Sequence, residues 1–333
     1  MSNIRTATLE LTLNCNFRCG HCYIETTSKG GDILDSSGWI RVVNRLLGIG
    51  CKQFILTGGE VLMSTSFPDI YRHLKKTGCR VDIFTNGSIL TQSLKNLFAV
   101  YPPDSVSVTL YGENSEVYRA VTGHKGNIRD VVERNVTALK SMGIPVHLGT
   151  MLCKAINVNF IRDHENQGRC VEMNTYLIPA LSGRRNLNQR LSPEEILKIE
   201  ISIPARDENN RRTYAALKPL ERNSEEYFRK CSGGHSSLFV SAMGLVSICA
   251  IYRDVSFNLT DDCTPIEEIL KSMADVHENF QKLYFDGKCG ACKLNQNCRN
   301  CPAYSLLETG HPYENPYLCE LAKARANHYL YPT

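Results

Sequence analysis

The chain has 333 residues, of which 42% are hydrophobic and 22% are charged. This composition is typical of a globular protein and excludes a disordered or fibrous one. The 38 basic and 34 acidic side chains are interspersed, which argues against nucleic acid or a membrane surface as a partner. Because the sequence has neither a signal-peptide pattern nor an 18-residue apolar stretch, we expect a cytoplasmic protein.

The first half of the chain alternates short strand-like runs with amphipathic segments, which is typical of βα units around a parallel sheet. The predicted strands cover residues 6–13, 53–57, 81–85, 105–110, 146–152 and 171–178. Between the first two, apolar residues from Trp39 to Leu47 recur at helical spacing. Six units are too few for a closed eight-stranded barrel, so the pattern predicts an α/β fold with an open doubly wound sheet or a partial barrel.

Two regions with different composition follow residue 180. Residues 181–230 are rich in charged and amide side chains, and a helix is predicted to begin after Ser192, with Pro193 in its first turn. Eight of the fifteen cysteines lie between Cys231 and Cys319, and short cysteine-dense segments generally depend on metal for stability. We therefore divide the chain into a first domain (1–180), a bridging segment (181–230) and a smaller C-terminal domain (231–333).

The first group of cysteines is Cys15, Cys19 and Cys22, on the loop that leaves the first strand. In a reducing compartment such cysteines stay free or bind metal. Three thiolates can hold three corners of an iron–sulfur cluster and leave the fourth iron open to another ligand. A zinc site would need a fourth side chain, and His21 is poorly placed to provide it. The C-terminal end of a strand is also where α/β barrels have their active sites.

This arrangement resembles the radical S-adenosylmethionine (SAM) superfamily. Gly58, Gly59 and Glu60 lie about 36 residues after Cys22 and look like the family's GGE motif, which binds the methionyl amino group of SAM. The resemblance implies a partial (β/α)6 barrel of the TIM type. It also implies that Cys15, Cys19 and Cys22 hold a 4Fe-4S cluster that binds SAM and yields a 5′-deoxyadenosyl radical.

Two further positions match the family pattern less specifically. By the same resemblance, Thr109 on strand four would contact the ribose of SAM, and Ile178 on strand six would contact the adenine. The alternative is that both are ordinary strand residues, since Thr and Ile are common in sheets.

The second group of cysteines begins with Cys231 and Cys249, which lie before and after a predicted hairpin turn at Met243-Gly244, and continues to Cys319. It resembles the SPASM extension of radical SAM enzymes that mature peptides, which implies two auxiliary 4Fe-4S clusters. Their ligands would be Cys289, Cys292, Cys298 and Cys319 for one cluster, and Cys231, Cys249 and Cys301 for the other. Ser237 stands where some relatives have another cysteine ligand, so substrate, water, His235 or Cys263 would complete the second cluster. Structural zinc is the alternative.

Four other cysteines precede or follow strands. Cys51, Cys79 and Cys170 precede strands two, three and six, and we expect them to be packing residues. Cys153 follows strand five at the expected active-site end of the barrel. It is either a hydrogen-atom donor or metal ligand, or a small buried side chain that fills space.

Two auxiliary clusters favour a net two-electron oxidation of the substrate, because they can accept the electron that the substrate radical loses after hydrogen-atom abstraction. We therefore predict an enzyme that crosslinks a ribosomally made peptide, for example through a thioether, with a flavodoxin- or ferredoxin-type electron donor. Because the first cysteine lies so near the start, we expect a separate leader-binding protein or a small or leaderless substrate. The alternatives are a dehydrogenase or epimerase acting on a small molecule or peptide residue, and a non-catalytic zinc-binding protein.

Overall fold

The computed structural model describes residues 4–24, 26, 32–156, 158–183, 186–216, 231–261, 263–286, 288–289, 292–295, 297–298 and 300–330. Part of the predicted bridging segment, residues 184–185 and 217–230, lies outside the described residues. Among the described helices, none combines the length and the apolar character that crossing a membrane requires.

The described strands form one sheet. They are β1 (Thr6–Glu10), β2 (Gln53–Thr57), β3 (Arg80–Thr85), β4 (Ser105–Thr109), β5 (Val146–Met151), β6 (Val171–Asn174), β7 (Ser237–Val240), β8 (Leu245–Ser247) and β9 (Phe257–Asn258). Their order in space is β6-β5-β4-β3-β2-β1-β7-β8-β9, and β1 to β6 are parallel. The prediction of six βα units with a parallel sheet is confirmed, and the arrangement is that of a partial barrel.

Helices follow each of the first five strands and extend through the C-terminal part. They are α1 (Ser36–Gly48), α2 (Phe67–Lys76), α3 (Gln92–Val100), α4 (Ser115–Thr122), α5 (Ile128–Ser141), α6 (Asn159–Asn166), α7 (Pro193–Ile201), α8 (Pro204–Ala215), α9 (Ile266–Asp286), α10 (Pro302–Thr309) and α11 (Pro316–Tyr329). The predicted helix start at Ser192 is confirmed, because Ser192 and Glu195 form a capping box. In α1, Trp39, Val42 and Leu46 are completely buried.

Two predicted strands were too long at their C-terminal ends. β1 ends at Glu10 and not at residue 13, because the chain turns there into the loop that carries the first cysteines. β6 ends at Asn174 and not at residue 178. Tyr176 and Leu177 are buried, and a buried apolar loop segment has the same sequence pattern as a buried strand. Ile178 therefore lies on the loop after β6 and not on strand six.

The predicted hairpin joins the sheet of the barrel. β7 and β8 are antiparallel, and Gly244 at their turn has a φ of +76°, which favours glycine. β7 also pairs in parallel with β1. Beside this pair, the buried Glu10 carboxylate accepts hydrogen bonds from Arg253 at 3.1 and 3.2 Å and from the Ala242 amide at 3.3 Å. The C-terminal part of the chain is thus attached to the first strand through backbone and side-chain bonds.

Candidate active site

The three cysteines of the first group lie on the loop that follows β1. Cys15 is buried, and Cys19 and Cys22 are half-buried. A turn brings the Cys22 amide to the Cys19 carbonyl at 3.1 Å, and the Cys15 sulfur accepts the Phe17 amide at 3.4 Å. Burial, together with the nearby Glu60 and Cys22, raises the pKa of Cys15 to about 11.

Cys19 has the same kind of environment. Burial raises the pKa of Cys19, and the neighbouring Cys22 and Cys15 raise it further. Each thiolate therefore disfavours ionisation of the other two thiols, unless a positive charge lies between the three sulfur atoms. This donor set fits an iron–sulfur cluster, whose cationic irons bind thiolates and leave one iron without a protein ligand.

The Gly-Gly-Glu turn after β2 packs directly on the loop before Cys15. The Gly59 amide donates to the Thr12 carbonyl at 2.8 Å, and the Glu60 amide donates to the Asn14 carbonyl at 2.7 Å. A Cβ atom on Gly58 would lie 2.6 Å from the Thr12 oxygen, and one on Gly59 would lie 2.4 Å from the Asn14 oxygen. The glycines are required by this backbone contact, which sets the position of the first cysteine relative to the turn.

Gly59→Ala should therefore displace the cysteine loop. We expect the substitution to destabilise the protein by about 1–3 kcal/mol, because rigid backbone faces the added methyl group. We also expect lower iron content after anaerobic reconstitution. The matched control is Gly48→Ala at the end of α1, where an added Cβ meets nothing within 4 Å. Equal iron content and equal unfolding midpoints in the two variants would contradict this account.

The Glu60 side chain is completely buried and forms hydrogen bonds within the protein. Its carboxylate accepts the Thr85 hydroxyl at 2.7 Å, the Asn86 amide at 2.7 Å and the Leu62 amide at 3.1 Å. Burial raises the pKa of Glu60, although these three bonds oppose that effect. The carboxylate thereby holds the C-terminal end of β3 against the turn after β2. A carboxylate has about four acceptor positions, so this geometry leaves room for one more donor.

The end of β3 brings a polar cluster to the cysteine loop that the sequence analysis did not identify. The Asn86 side-chain amide donates to the Asn16 side chain at 2.9 Å and lies 4.0 Å from the Cys15 sulfur. The Asn16 amide in turn donates to the Ser88 hydroxyl at 2.9 Å. The only available signal in the sequence was that residues 85–88 follow a strand at the same edge as Glu60.

Thr109 and Ile178 lie at the same edge of the sheet as the cysteine loop. Thr109 is the last residue of β4 and pairs with Gly149. The Ile178 carbonyl accepts the Asn186 side-chain amide at 2.8 Å, and that amide also reaches the His21 carbonyl at 3.1 Å. Asn186, which the sequence analysis also missed, therefore connects the loop after β6 to the cysteine loop.

Tyr111 is a third residue that the sequence analysis missed. It follows β4, is 7% exposed, and its ring packs against Phe17 and His21 of the cysteine loop, with 5.9 and 5.7 Å between ring centroids. Burial raises the pKa of Tyr111 well above its usual value, so the phenol stays protonated.

The three cysteines that precede strands two, three and six do not all have the burial that we predicted. Cys51 and Cys79 are buried, as expected of packing residues, but Cys170 is exposed, so that prediction was wrong for Cys170. Cys153 is buried two residues beyond the end of β5, at the same edge of the sheet as the cysteine loop. Burial raises the pKa of Cys153, which keeps it a neutral thiol.

Four cysteines of the second group surround one cavity. Cys289, Cys292, Cys298 and Cys319 line a cavity of about 360 Å³, together with side chains from α11. Burial, together with the neighbouring Cys319, Cys289 and Cys292, raises the pKa of Cys298 to about 11. The donor set of four thiols around one space fits a fully ligated cluster.

The other three cysteines of the second group also lie together. Burial, together with the nearby Cys249 and Cys231, raises the pKa of Cys301 to about 12. The Cys301 sulfur caps α10 by accepting the Tyr304 amide at 3.4 Å. The Ser237 hydroxyl is hydrogen-bonded to Ser232 at 2.8 Å. These three thiols fit a cluster with one iron that the protein does not ligate.

The two other candidates for that open position lie on different elements. The His235 ring packs 5.8 Å from the ring of His277 on α9. Cys263 is exposed, on a segment that Arg45 of α1 holds through the Thr264 carbonyl at 2.7 Å. Within the described ranges, no group of three or more His, Cys, Asp or Glu side chains is arranged to hold a single metal ion.

Comparison with known proteins agrees with this geometry. Residues 9–164 match the family model described as the Radical SAM superfamily. No curated protein sequence matches the chain significantly.

Solved structures match over nearly the whole chain at low identity. SuiB of Streptococcus suis bound to S-adenosylmethionine has a TM-score of 0.72 and 13% identity, covering 96% of this chain and 77% of that one. SuiB bound to its precursor peptide SuiA has a TM-score of 0.73 and 12% identity, covering 96% and 76%. Native anSMEcpe with bound AdoMet and Kp18Cys peptide has a TM-score of 0.68 and 17% identity, covering 98% and 97%. At such identities these matches show the fold.

Proposed function

We propose that this chain is an enzyme that uses SAM and iron–sulfur clusters to modify a peptide oxidatively, because residues 9–164 match the Radical SAM family model. The observation that carries the proposal is the packing of the Cys15–Cys19–Cys22 loop on the Gly-Gly-Glu turn, at the C-terminal edge of the parallel sheet. That edge is where parallel α/β barrels place their chemistry.

The chain's own residues would bind and orient the reactants. When bound, the cluster and SAM supply a 5′-deoxyadenosyl radical that removes a hydrogen atom from an unactivated carbon. Cys15, Cys19 and Cys22 would hold that cluster, and Gly58, Gly59 and Glu60 would form the site for the methionyl amino group. Thr109 would contact the ribose and Ile178 the adenine. Enclosure by the barrel would exclude water from the radical.

The C-terminal cysteines support the oxidative part of the proposal. We assign Cys289, Cys292, Cys298 and Cys319 to one auxiliary 4Fe-4S cluster, and Cys231, Cys249 and Cys301 to another. The domains would then be the barrel (1–180), the bridging segment (181–230) and a SPASM domain (231–333). Two auxiliary clusters would accept the electron that the substrate radical loses in a net oxidation. Because Ser237 stands where a further cysteine ligand could lie, the second cluster would have a position for a substrate thiolate, which favours thioether formation.

A peptide is the substrate class that the similar structures support, since SuiB is bound to the precursor peptide SuiA and anSMEcpe to a Kp18Cys peptide. We propose a flavodoxin- or ferredoxin-type protein as the electron donor. A separate protein could present the leader of the peptide.

Metal analysis of the anaerobically reconstituted protein tests the proposal. We expect about twelve irons per chain and little zinc, as three 4Fe-4S clusters require, together with reductive cleavage of SAM to 5′-deoxyadenosine. About four irons with stoichiometric zinc would contradict the auxiliary clusters and the oxidation. For thioether formation, Cys231→Ala should lose the crosslink and keep deoxyadenosine production, whereas unchanged crosslinking would contradict substrate ligation there.

Cys153 favours a second candidate, a redox-neutral epimerase. Its protonated thiol lies at the same edge of the sheet as the cysteine loop, where a hydrogen-atom donor would have to lie. An epimerase would introduce one solvent deuterium into its product, and Cys153→Ala would abolish that incorporation. The oxidative enzyme would introduce none.

A further inference from the structure

The cavity that four cysteines of the second group line has a side-chain amide beside one of its sulfur atoms. The Asn300 amide donates a hydrogen bond to the Cys289 sulfur at 3.6 Å, and both residues are buried. A thiol at Cys289 gives its own proton to the Tyr313 carbonyl at 3.1 Å. A thiolate bound to iron has no proton to give, so the Asn300 amide then remains as a donor to this sulfur.

The amide of Asn300 is also held at its oxygen atom. This oxygen accepts the hydroxyl of Ser305 at 2.9 Å, and Ser305 is completely buried on α10. Because the oxygen accepts from the hydroxyl, the nitrogen of the same amide faces the sulfur as a donor. The N-cap of α10 is Cys301, which we assign to the other auxiliary cluster. The donor is therefore positioned by a helix that begins between the two sets of ligands.

A second buried asparagine contacts the same cysteine at a different atom. The Asn295 side-chain amide donates to the Cys289 carbonyl at 3.3 Å. Cys289 thus has one asparagine at its sulfur and another at its backbone oxygen. Because the sulfur is the atom that binds iron, a donor there acts on the charge of the metal centre, whereas a donor at the carbonyl fixes the backbone.

The auxiliary cluster that we assign to four cysteine ligands would be bound by the Cys289 sulfur. We propose that the Asn300 amide raises the reduction potential of this four-cysteine cluster by donating a hydrogen bond to that sulfur. The inference rests on the proposed function, because it needs the cluster. The reduced cluster carries one more negative charge than the oxidised cluster, so a donor at a ligand sulfur stabilises the reduced form more. Burial strengthens the effect through a low local dielectric. Asn300 is a positioning residue, since it acts through Cys289.

The test is Asn300→Leu, which removes the amide and keeps a side chain of similar size. It is made in the Cys19→Ala chain, which should lose the SAM-binding cluster and retain the two auxiliary clusters. In an anaerobic redox titration followed by electron paramagnetic resonance, we expect one of the two midpoint potentials to fall and the other to stay unchanged. The ratio of reduced to oxidised four-cysteine cluster at a fixed potential should fall by up to about tenfold, which corresponds to about 59 mV for a one-electron couple.

Asn295→Leu is the matched control, because it makes the same change at the asparagine that contacts the Cys289 carbonyl. Both midpoint potentials should then equal those of the parent chain. Unchanged potentials in Asn300→Leu, at equal iron content, would overturn the inference. An equal shift in the two asparagine variants would also overturn it, because the position of the backbone and not the bond to sulfur would then set the potential.

A second measurement does not depend on the folding of an asparagine variant. Asparagine with an isotope label at its side-chain nitrogen is incorporated into the Cys19→Ala chain, and the reduced clusters are studied by electron–nuclear double resonance. We expect the labelled nitrogen to couple to the spin of one cluster. If neither cluster shows this coupling, the inference fails and the proposed function stands. About four irons per wild-type chain would overturn the auxiliary clusters and the inference together, which separates the two failures.

Discussion

Cys19→Ala should abolish SAM cleavage. The loop would keep only two of its three thiols, and two ligands do not hold a 4Fe-4S cluster that needs three. We expect iron to fall from about twelve to about eight per chain, because the C-terminal cysteines do not depend on Cys19. Deoxyadenosine production under strong reductant, measured by chromatography, should fall to background.

The matched control is Cys170→Ala. Cys170 is exposed and precedes β6, at the opposite end of the strand from the candidate site. This variant should keep its iron and its SAM cleavage. Retained cleavage in Cys19→Ala would show that the first cysteine group is not the SAM-binding site.

Glu308→Ala should produce a large loss of stability. Glu308 on α10 accepts bonds from Arg190 at 2.7 and 3.0 Å, from Tyr176 at 2.6 Å and from Asn315 at 3.0 Å. The Glu308 and Arg190 side chains are only 12% and 10% exposed. Removal of the carboxylate leaves a buried guanidinium without its counter-charge, which typically costs about 3–5 kcal/mol.

The comparison should be made by anaerobic urea unfolding, with Glu208→Ala as control. Glu208 pairs with Arg212 on the surface of α8, with side chains 55% and 78% exposed, and exposed pairs contribute little. Burial opposes ionisation of Glu308, but its hydrogen bonds with Arg190, Tyr176 and Asn315 hold its pKa below the usual value. The stabilisation is therefore complete above the unfolded pKa of about 4.3 and is lost as pH falls through the lower folded pKa. Equal unfolding midpoints for both variants at neutral pH would contradict this role.

The sequence was sufficient to predict most of the strands, because alternation of apolar residues is a local pattern. Alternating apolar runs located β2 to β5 within a residue at each end. The division of the cysteines into ligand sets came from the family resemblance and stays a prediction. Where apolarity continued into a buried loop, as at Tyr176 and Leu177, the same pattern extended β6 too far. Buried residues of a loop and buried residues of a strand are both apolar, so the sequence pattern does not distinguish them.

The side chains that complete the candidate site could not be predicted. Three side chains from different segments contact the cysteine loop, namely those of Tyr111, Asn86 and Asn186. None of these residues belongs to a motif with fixed spacing. Their roles depend on which strand ends meet at one edge, which is a property of the assembled sheet. The pairing of β7 with β1 was missed for a related reason. A hairpin is encoded by its turn, but the edge that it joins is decided by long-range packing.

The strand pair β1–β7 has a consequence for any attempt to isolate the barrel. A fragment that ends near residue 180 would leave β1 as an open edge, with backbone donors and acceptors available to other chains. It would also leave the Glu10 carboxylate without Arg253, directly before the loop that carries Cys15. We therefore do not expect the barrel to fold as an isolated fragment. We expect the fragment to aggregate and to bind no iron in its first cysteine group, although Cys15, Cys19 and Cys22 are still present.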